Sequence, residues 1–444
     1  MTHPEYPRTS AVPNAAVPSA AAPGRSGPPA TATTPPRRAF APDLARGFML
    51  CLIAIANVSV YLWGTQAATS LSGHPASDSL LDRILSVLTI LFVDGSIYPM
   101  FAFLFGYGIV QFTRNRAAVG DDPRTITAML LRRNLWLVVF GFVHAALLFG
   151  GDILGAYGLC GLILAYLIQR AGDRALMITL WVLLGILGLF LLVQVGMILL
   201  AQALAGDTTD EPMLGDDAVG SFTTLLLTQG TGETNYLLAI GVRLLVWLLA
   251  TVLGTLSLTV PLVIIMGGLA ARHRWIESRG QDAGSPRRPR LGLVAGVGIP
   301  LGALGNIPQA LAYLGWIPSD SATVEITAVL TPVTGACAGL GYAALFGLIG
   351  LRFQDRPPRL LLPIAYLGKR SLSFYLFQSV VFAPLLAAWG FGLGRTWNTT
   401  PAFLLAIGVW VASLALATWM ESKNFKGPAE VVLRRLTYGR EGRG

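Results

Sequence analysis

The sequence predicts an all-α integral membrane protein, a polytopic bundle of about ten transmembrane helices. Three observations predict it. Of 444 residues, 54% are hydrophobic and only 12% charged, with a mean hydropathy of +0.62. A soluble globular domain carries about 25% charged residues, so this chain has too few polar groups to cover a surface facing water. Apolar runs near the roughly 20 residues that a helix needs to cross the hydrocarbon core recur along it. The basic residues fall in alternate connections between those runs, as the positive-inside rule requires.

Residues 1–42 are rich in Pro, Ala, Ser and Thr. Such a composition cannot bury enough surface to fold alone, and a disordered cytoplasmic tail is expected. Arg37-Arg38-Ala39-Phe40 reads as the basic flank of the first span rather than an export signal, since no clear cleavage site follows. The membrane domain, 43–420, holds spans expected at 45–64, 92–112, 134–150, 152–169, 175–204, 240–270, 291–313, 326–351, 371–390 and 401–420. Residues 80–91 are an interfacial lead-in to the second span. Gly150-Gly151 makes the third and fourth a tight hairpin. The sixth is long enough to be tilted, or broken near Pro261.

The connections test this count. Five basic residues fall in 114–133, two in 170–174, six in 272–290, three in 352–359 and six in 421–444. The four intervening loops, 65–82, 205–237, 314–324 and 391–400, together hold one, Arg395, and most of the exposed acids. Both termini are therefore expected in the cytoplasm, with 205–237 the large external loop. The segment 421–444 is basic and expected in the cytoplasm; within it 425–438 is amphipathic and basic, and is expected to lie on the anionic inner leaflet. The net charge of +9 comes from these short loops, which argues against a nucleic-acid partner. Cys51, Cys160 and Cys337 each lie in an apolar run without a CxxC or Cys/His cluster, so no metal or disulfide framework is indicated.

Ionisable groups inside a membrane are costly and mark functional sites by default. Here they are Asp43 and Arg46 at the first span, Asp94 at the second, His144 and Asp152 in the hairpin, Arg243 in the sixth and Glu325 beside the eighth, with Lys369 and Arg370 flanking the ninth. Among the four histidines only His144 lies within a span, about 9 Å below the external end at 1.5 Å per residue. Asp152 either caps its helix or turns inward to orient the imidazole, the base-plus-orienter arrangement of general catalysis. Asp43 and Arg46, three apart on one helix face, are either a cap with an arginine snorkelling to the interface or a pocket for a phosphate-bearing donor. Asn57, Gln111, Gln194 and Gln378 suit interhelical hydrogen bonds. Tyr375 and Gln378 share a face and either pack or line a cavity. No Walker A sequence or GxSxG elbow is present.

Five segments, in order, resemble the YeiB family of bacterial polytopic membrane proteins. They are Asp43-Leu-Ala-Arg-Gly-Phe48, Phe101-Ala-Phe-Leu-Phe-Gly-Tyr-Gly108, the hairpin Gly141-Phe-Val-His144 with Gly151-Asp-Ile-Leu154 and Tyr157, Gly368-Lys-Arg-Ser-Leu-Ser-Phe-Tyr-Leu-Phe-Gln-Ser379, and Phe425-Lys-Gly-Pro-Ala-Glu430 with Arg434-Arg-Leu-Thr-Tyr438. The opening segment is similar to that of membrane acyltransferases that modify sugars and lipids with a cytoplasmic donor such as acetyl-CoA. The resemblance implies a donor pocket near Arg46, and His144 as base or acyl carrier; Asn57 occupies the region where the sugar-modifying enzymes place a histidine. Three functions remain open: transfer of an acyl group from acyl-CoA to a lipid, glycan or small-molecule acceptor; transport of a small metabolite or lipid along a path of Asp94, His144, Asp152, Arg243 and Glu325; or a non-catalytic membrane subunit. No cofactor beyond acyl-CoA as co-substrate is implied, and the lipid bilayer is the expected partner.

Overall fold

The computed structural model describes residues 40–64, 73–205, 230–276, 287–354 and 356–438. The expected tail lies outside them except for Phe40, Ala41 and Pro42, which open the first helix. Most of the expected external loop, 206–229, also lies outside them. Every regular element among the described residues is helical. In order they are α1 (Phe40–Ser59), α2 (Leu80–Phe92), α3 (Ile97–Ala118), α4 (Pro123–Leu147), α5 (Leu154–Arg170), α6 (Asp173–Ala205), α7 (Tyr236–Leu256), α8 (Thr259–Arg272), α9 (Arg287–Gly305), α10 (Ile307–Tyr313), α11 (Ala322–Phe353), α12 (Leu362–Gly368), α13 (Ser371–Leu386), a short 3-10 turn at Leu393–Arg395, α14 (Thr399–Ser422) and α15 (Pro428–Tyr438).

Seven of these elements are long and apolar enough to cross a membrane, or eight if the bent pair α2–α3 counts as one. The ten expected spans also include α5 and α13, which at 17 and 16 residues are shorter than the roughly 20 needed to cross upright. The lead-in before the second span is α2, bent by 40° from α3. The sixth span breaks at Ser257–Leu258, just before Pro261. The cause is local: Pro261 has no N–H to bond the carbonyl four residues back, so it is tolerated in the first turn of α8 but would interrupt a continuous helix. The C-terminal half of α7 packs on Gly155 of α5 through Trp247 and Thr251, and α8 meets Ile168 at the other end of α5 through Gly268. Together α7 and α8 therefore run the length of α5 as one broken traverse.

Helix boundaries follow from sequence. Asp122 caps α4 by accepting from the Arg124 N–H, with Pro123 in the first turn, and Asn235 caps α7 by accepting from Leu237 and Leu238. α1 is central, buried along most of its length, whereas α6 is apolar all round yet mostly exposed, as a lipid-facing helix is. Close helix contact depends on glycine, as the crossings of α3 with α8 and of α1 with α12 show. A side chain at Gly106 of α3 would collide with the Ile264 carbonyl of α8, and one at Gly47 of α1 with the Ile364 carbonyl of α12.

Contacts sort the connections into two sets at opposite ends of the bundle. At one end, Phe40 bonds Gln354, Arg272 bonds Asp173 and the carbonyls of Ile168 and Ala171, Arg370 bonds Glu421 and Phe425, and Tyr438 stacks near Phe112. At the other end, Trp63 bonds Leu386 and Gly394, Tyr236 bonds Leu147, Ala388 bonds Thr231, and Tyr313 bonds Pro75. The first end collects the basic connections and the second the non-basic ones.

The C-terminal segment is held by protein contacts. Glu430 of α15 accepts from the N–H groups of Leu372 and Ser373 and from the Ser373 hydroxyl. It thereby caps α13 from a different helix. α15 also packs on α4, so the expected leaflet-lying segment is in part a docked helix.

Candidate active site

The last turn of α4, the turn after it and the start of α13 converge on one buried polar group. His144 Nδ1 lies 2.8 Å from Asp152 Oδ1, and both side chains are withdrawn from solvent. Asp152 precedes α5 and serves both alternatives read from the sequence: Oδ1 orients the imidazole while Oδ2 accepts from the Gly155 N–H at 3.1 Å. The Tyr375 hydroxyl donates to Asp152 Oδ1 at 3.1 Å and accepts from the Ile153 N–H at 3.3 Å. Its ring stands edge-on to His144 with centroids 5.2 Å apart. Gly141 makes room, because a Cβ there would collide with Asp152 Oδ2 and stand 2.6 Å from Gly155 N.

An ionised carboxylate only accepts hydrogen bonds, so the Asp152 contact assigns the proton to Nδ1 of a neutral His144. Nε2 then carries the free lone pair. It is buried and has no hydrogen-bond partner. The arrangement is a base, an orienting carboxylate and a tyrosine that holds the carboxylate.

Gln378, one turn beyond Tyr375, donates to the Leu50 carbonyl of α1 at 2.7 Å, the interhelical bond expected of it, while its Oε1 is buried without a partner. This bond fixes the depth of the site. Leu50 stands four residues, about 6 Å, above Arg46 on α1. Tyr375 and Gln378 occupy adjacent turns of α13, so the His144 group lies within about two turns of Leu50. The sequence places Arg46 and His144 toward opposite ends of the roughly 30 Å core. Ala146 and Leu148, beside His144, contact Arg243 and Tyr61 at the non-basic end.

Asp43 is buried and pairs with Arg46 at 3.5 Å. The Arg133 guanidinium of α4 covers the Phe105 ring at 5.6 Å. Sequence reading counted Arg133 only as one of the basic residues before the third span. Lys369 and Arg370 are held by Glu421.

Two predicted site residues lie elsewhere. Asp94 sits in the α2–α3 bend at the non-basic end, where its Oδ2 is 2.7 Å from His74 Nε2. His74 is 3% exposed, a second buried histidine that the sequence assigned to a loop. No apolar run surrounds it, so hydropathy carried no signal for its burial. Arg243 of α7 donates to the Ala146 carbonyl at 2.8 and 3.3 Å, two residues from His144. Among the described residues no group of three or more His, Cys, Asp or Glu side chains is placed to hold a metal ion.

The profile of a family described as "Protein of unknown function (DUF418)" matches residues 270–440. The chain is 27% identical over 411 residues to the uncharacterized protein YeiB of Escherichia coli (strain K12), covering 89% of this chain and 95% of that one. It is 33% identical over 122 residues to an uncharacterized 39.9 kDa protein in the amylase 3' region of Bacillus acidopullulyticus, 28% of this chain and 32% of that one. It is 33% identical over 87 residues to the uncharacterized protein YxaH of Bacillus subtilis (strain 168), 20% of this chain and 21% of that one.

Proposed function

Starting from the chain's membership of the YeiB family of membrane proteins, we propose that it is an acyltransferase of the bacterial cell membrane. In this reading it moves an acyl group from cytoplasmic acyl-CoA to a lipid, glycan or small-molecule acceptor. The observation that supports it most is the His144–Asp152 contact at 2.8 Å, with Nε2 buried and unpaired. His144 Nε2 takes the proton of an acceptor hydroxyl or amine as that atom attacks the thioester carbonyl. A new ester or amide bond forms, the carbon–sulfur bond breaks, and the imidazolium returns its proton to the departing CoA thiolate. Asp152 holds the tautomer and stabilises the imidazolium, and Tyr375 holds Asp152. Arg46, with Arg133 of α4, receives donor phosphate at the basic end, where a planar guanidinium suits phosphate oxygens. Both termini and all five basic connections face the cytoplasm.

One feature favours transfer over transport: Asp94, which a transport path would use, is engaged by His74 rather than by His144 or Asp152. The test uses membrane vesicles of both orientations and labelled acetyl-CoA added outside. Label should enter the lipid or glycan fraction of inside-out vesicles and not of right-side-out ones. Incorporation by neither orientation, matched by gradient-dependent flux of a metabolite, would replace the reading with transport.

A further inference from the structure

Arg243 carries a charge that no carboxylate among the described residues balances. It is 3% exposed, at the non-basic end of the bundle. Its Nε and Nη2 both donate to the Ala146 carbonyl, and the rings of Tyr236 and Trp389 cover the guanidinium at 5.1 and 6.0 Å. Among the described residues no carboxylate pairs with it. Nη1 is buried with no hydrogen-bond partner. One carbonyl and two ring faces offset only part of the cost of withdrawing a guanidinium from water. A buried cation with two unused N–H donors therefore wants an anion.

A small cavity lies against it, lined by Val60, Phe149, Gly150, Thr231 and Val246. Gly150 and Gly230 keep the approach clear: a Cβ at Gly230 would stand 3.3 Å from the Arg243 side chain. Phe149 also packs beside the His144 ring, with centroids 6.2 Å apart. The cavity and the candidate base are thus separated by one aromatic ring.

From this geometry we infer that Arg243 forms an anion-binding site for a phosphate group at the non-basic end of the bundle. Nη1 takes the phosphate oxygens, and the Tyr236 and Trp389 rings hold the guanidinium flat to present that edge. The phosphate belongs either to the headgroup of a membrane lipid or to a free water-soluble anion. The site depends on binding alone and holds whichever reaction His144 serves.

The test is thermal unfolding of the purified full-length protein in neutral detergent, with inorganic phosphate in one arm and phosphatidylglycerol in the other. A ligand that binds the folded state raises Tm in proportion to its occupancy. At least one probe should raise the wild-type Tm. A rise with the lipid alone assigns a headgroup, and a rise with inorganic phosphate assigns a free anion. Arg243→Gln should weaken binding of the active probe by about tenfold or more. Arg243→Lys keeps the charge but loses the planar fork, so it should weaken binding by a smaller factor, and it serves should the glutamine variant fail to fold. No rise in Tm with either probe, or wild-type affinity in either variant, would overturn the site.

Discussion

At the scale of single residues, the hairpin motif was legible in part. His144 and Asp152 stood out because ionisable groups are rare in apolar runs, but spacing alone left Asp152 divided between capping and orienting. The structure gives one oxygen to each task. Tyr375 was visible as the neighbour of Gln378 within the Gly368–Ser379 segment, but its role was not, since its partner is 223 positions away in sequence. His74 was invisible, because its burial comes from tertiary packing around a polar loop. Two substitutions test the roles. Asp152→Asn turns one acceptor oxygen into an N–H donor that favours the wrong His144 tautomer, so transfer should fall by orders of magnitude, on the order of 10²-fold or more, while the protein remains folded. Tyr375→Phe leaves His144 and its carboxylate in place and should lower kcat by a smaller factor with little change in KM for acyl-CoA. Gly141→Ala drives a methyl group into Asp152 and the start of α5. Such overpacking should cost roughly 1–3 kcal/mol, read as a lower Tm.

At the scale of elements, hydropathy located nearly every helix but not how helices end or bend. The break at Ser257–Leu258 has a signal in Pro261, and the shortness of α5 matches the expected 152–169, whereas the early end of α13 at Leu386 has no signal, because the apolar run extends past it. The docking of α15 was also illegible. Its basic, amphipathic pattern suits a membrane surface as well as a protein groove, and the deciding contact is Glu430 on the first turn of α13. Because α13 carries Tyr375 and Gln378, that cap supports the helix on which part of the site is built. Glu430→Ala leaves two helix N–H groups without their acceptor and should cost about 1 kcal/mol. Hydrogen exchange at 425–438 should rise more than at α1. Unchanged protection there would mean that α15 is held by its packing on α4 alone.

At the scale of the whole molecule, the alternation of basic and non-basic connections was the most legible property of the chain, and contacts place the two sets at opposite ends. The number of traverses was less legible, because length and apolarity certify seven or eight helices and leave the two shorter ones to packing. Orientation is directly testable. Thr396→Cys should react with a membrane-impermeant maleimide in intact cells, and Lys423→Cys only after the membrane is opened; the reverse pattern would invert the molecule. Orientation also fixes the side from which a donor reaches the bundle. The decisive measurement is the rate at which inside-out vesicles move label from acetyl-CoA into lipid and glycan, comparing wild type with His144→Ala at equal amounts of folded protein. Incorporation by the wild type and its loss in the variant is the expected result. Equal incorporation by both would contradict the assignment of His144 as the base.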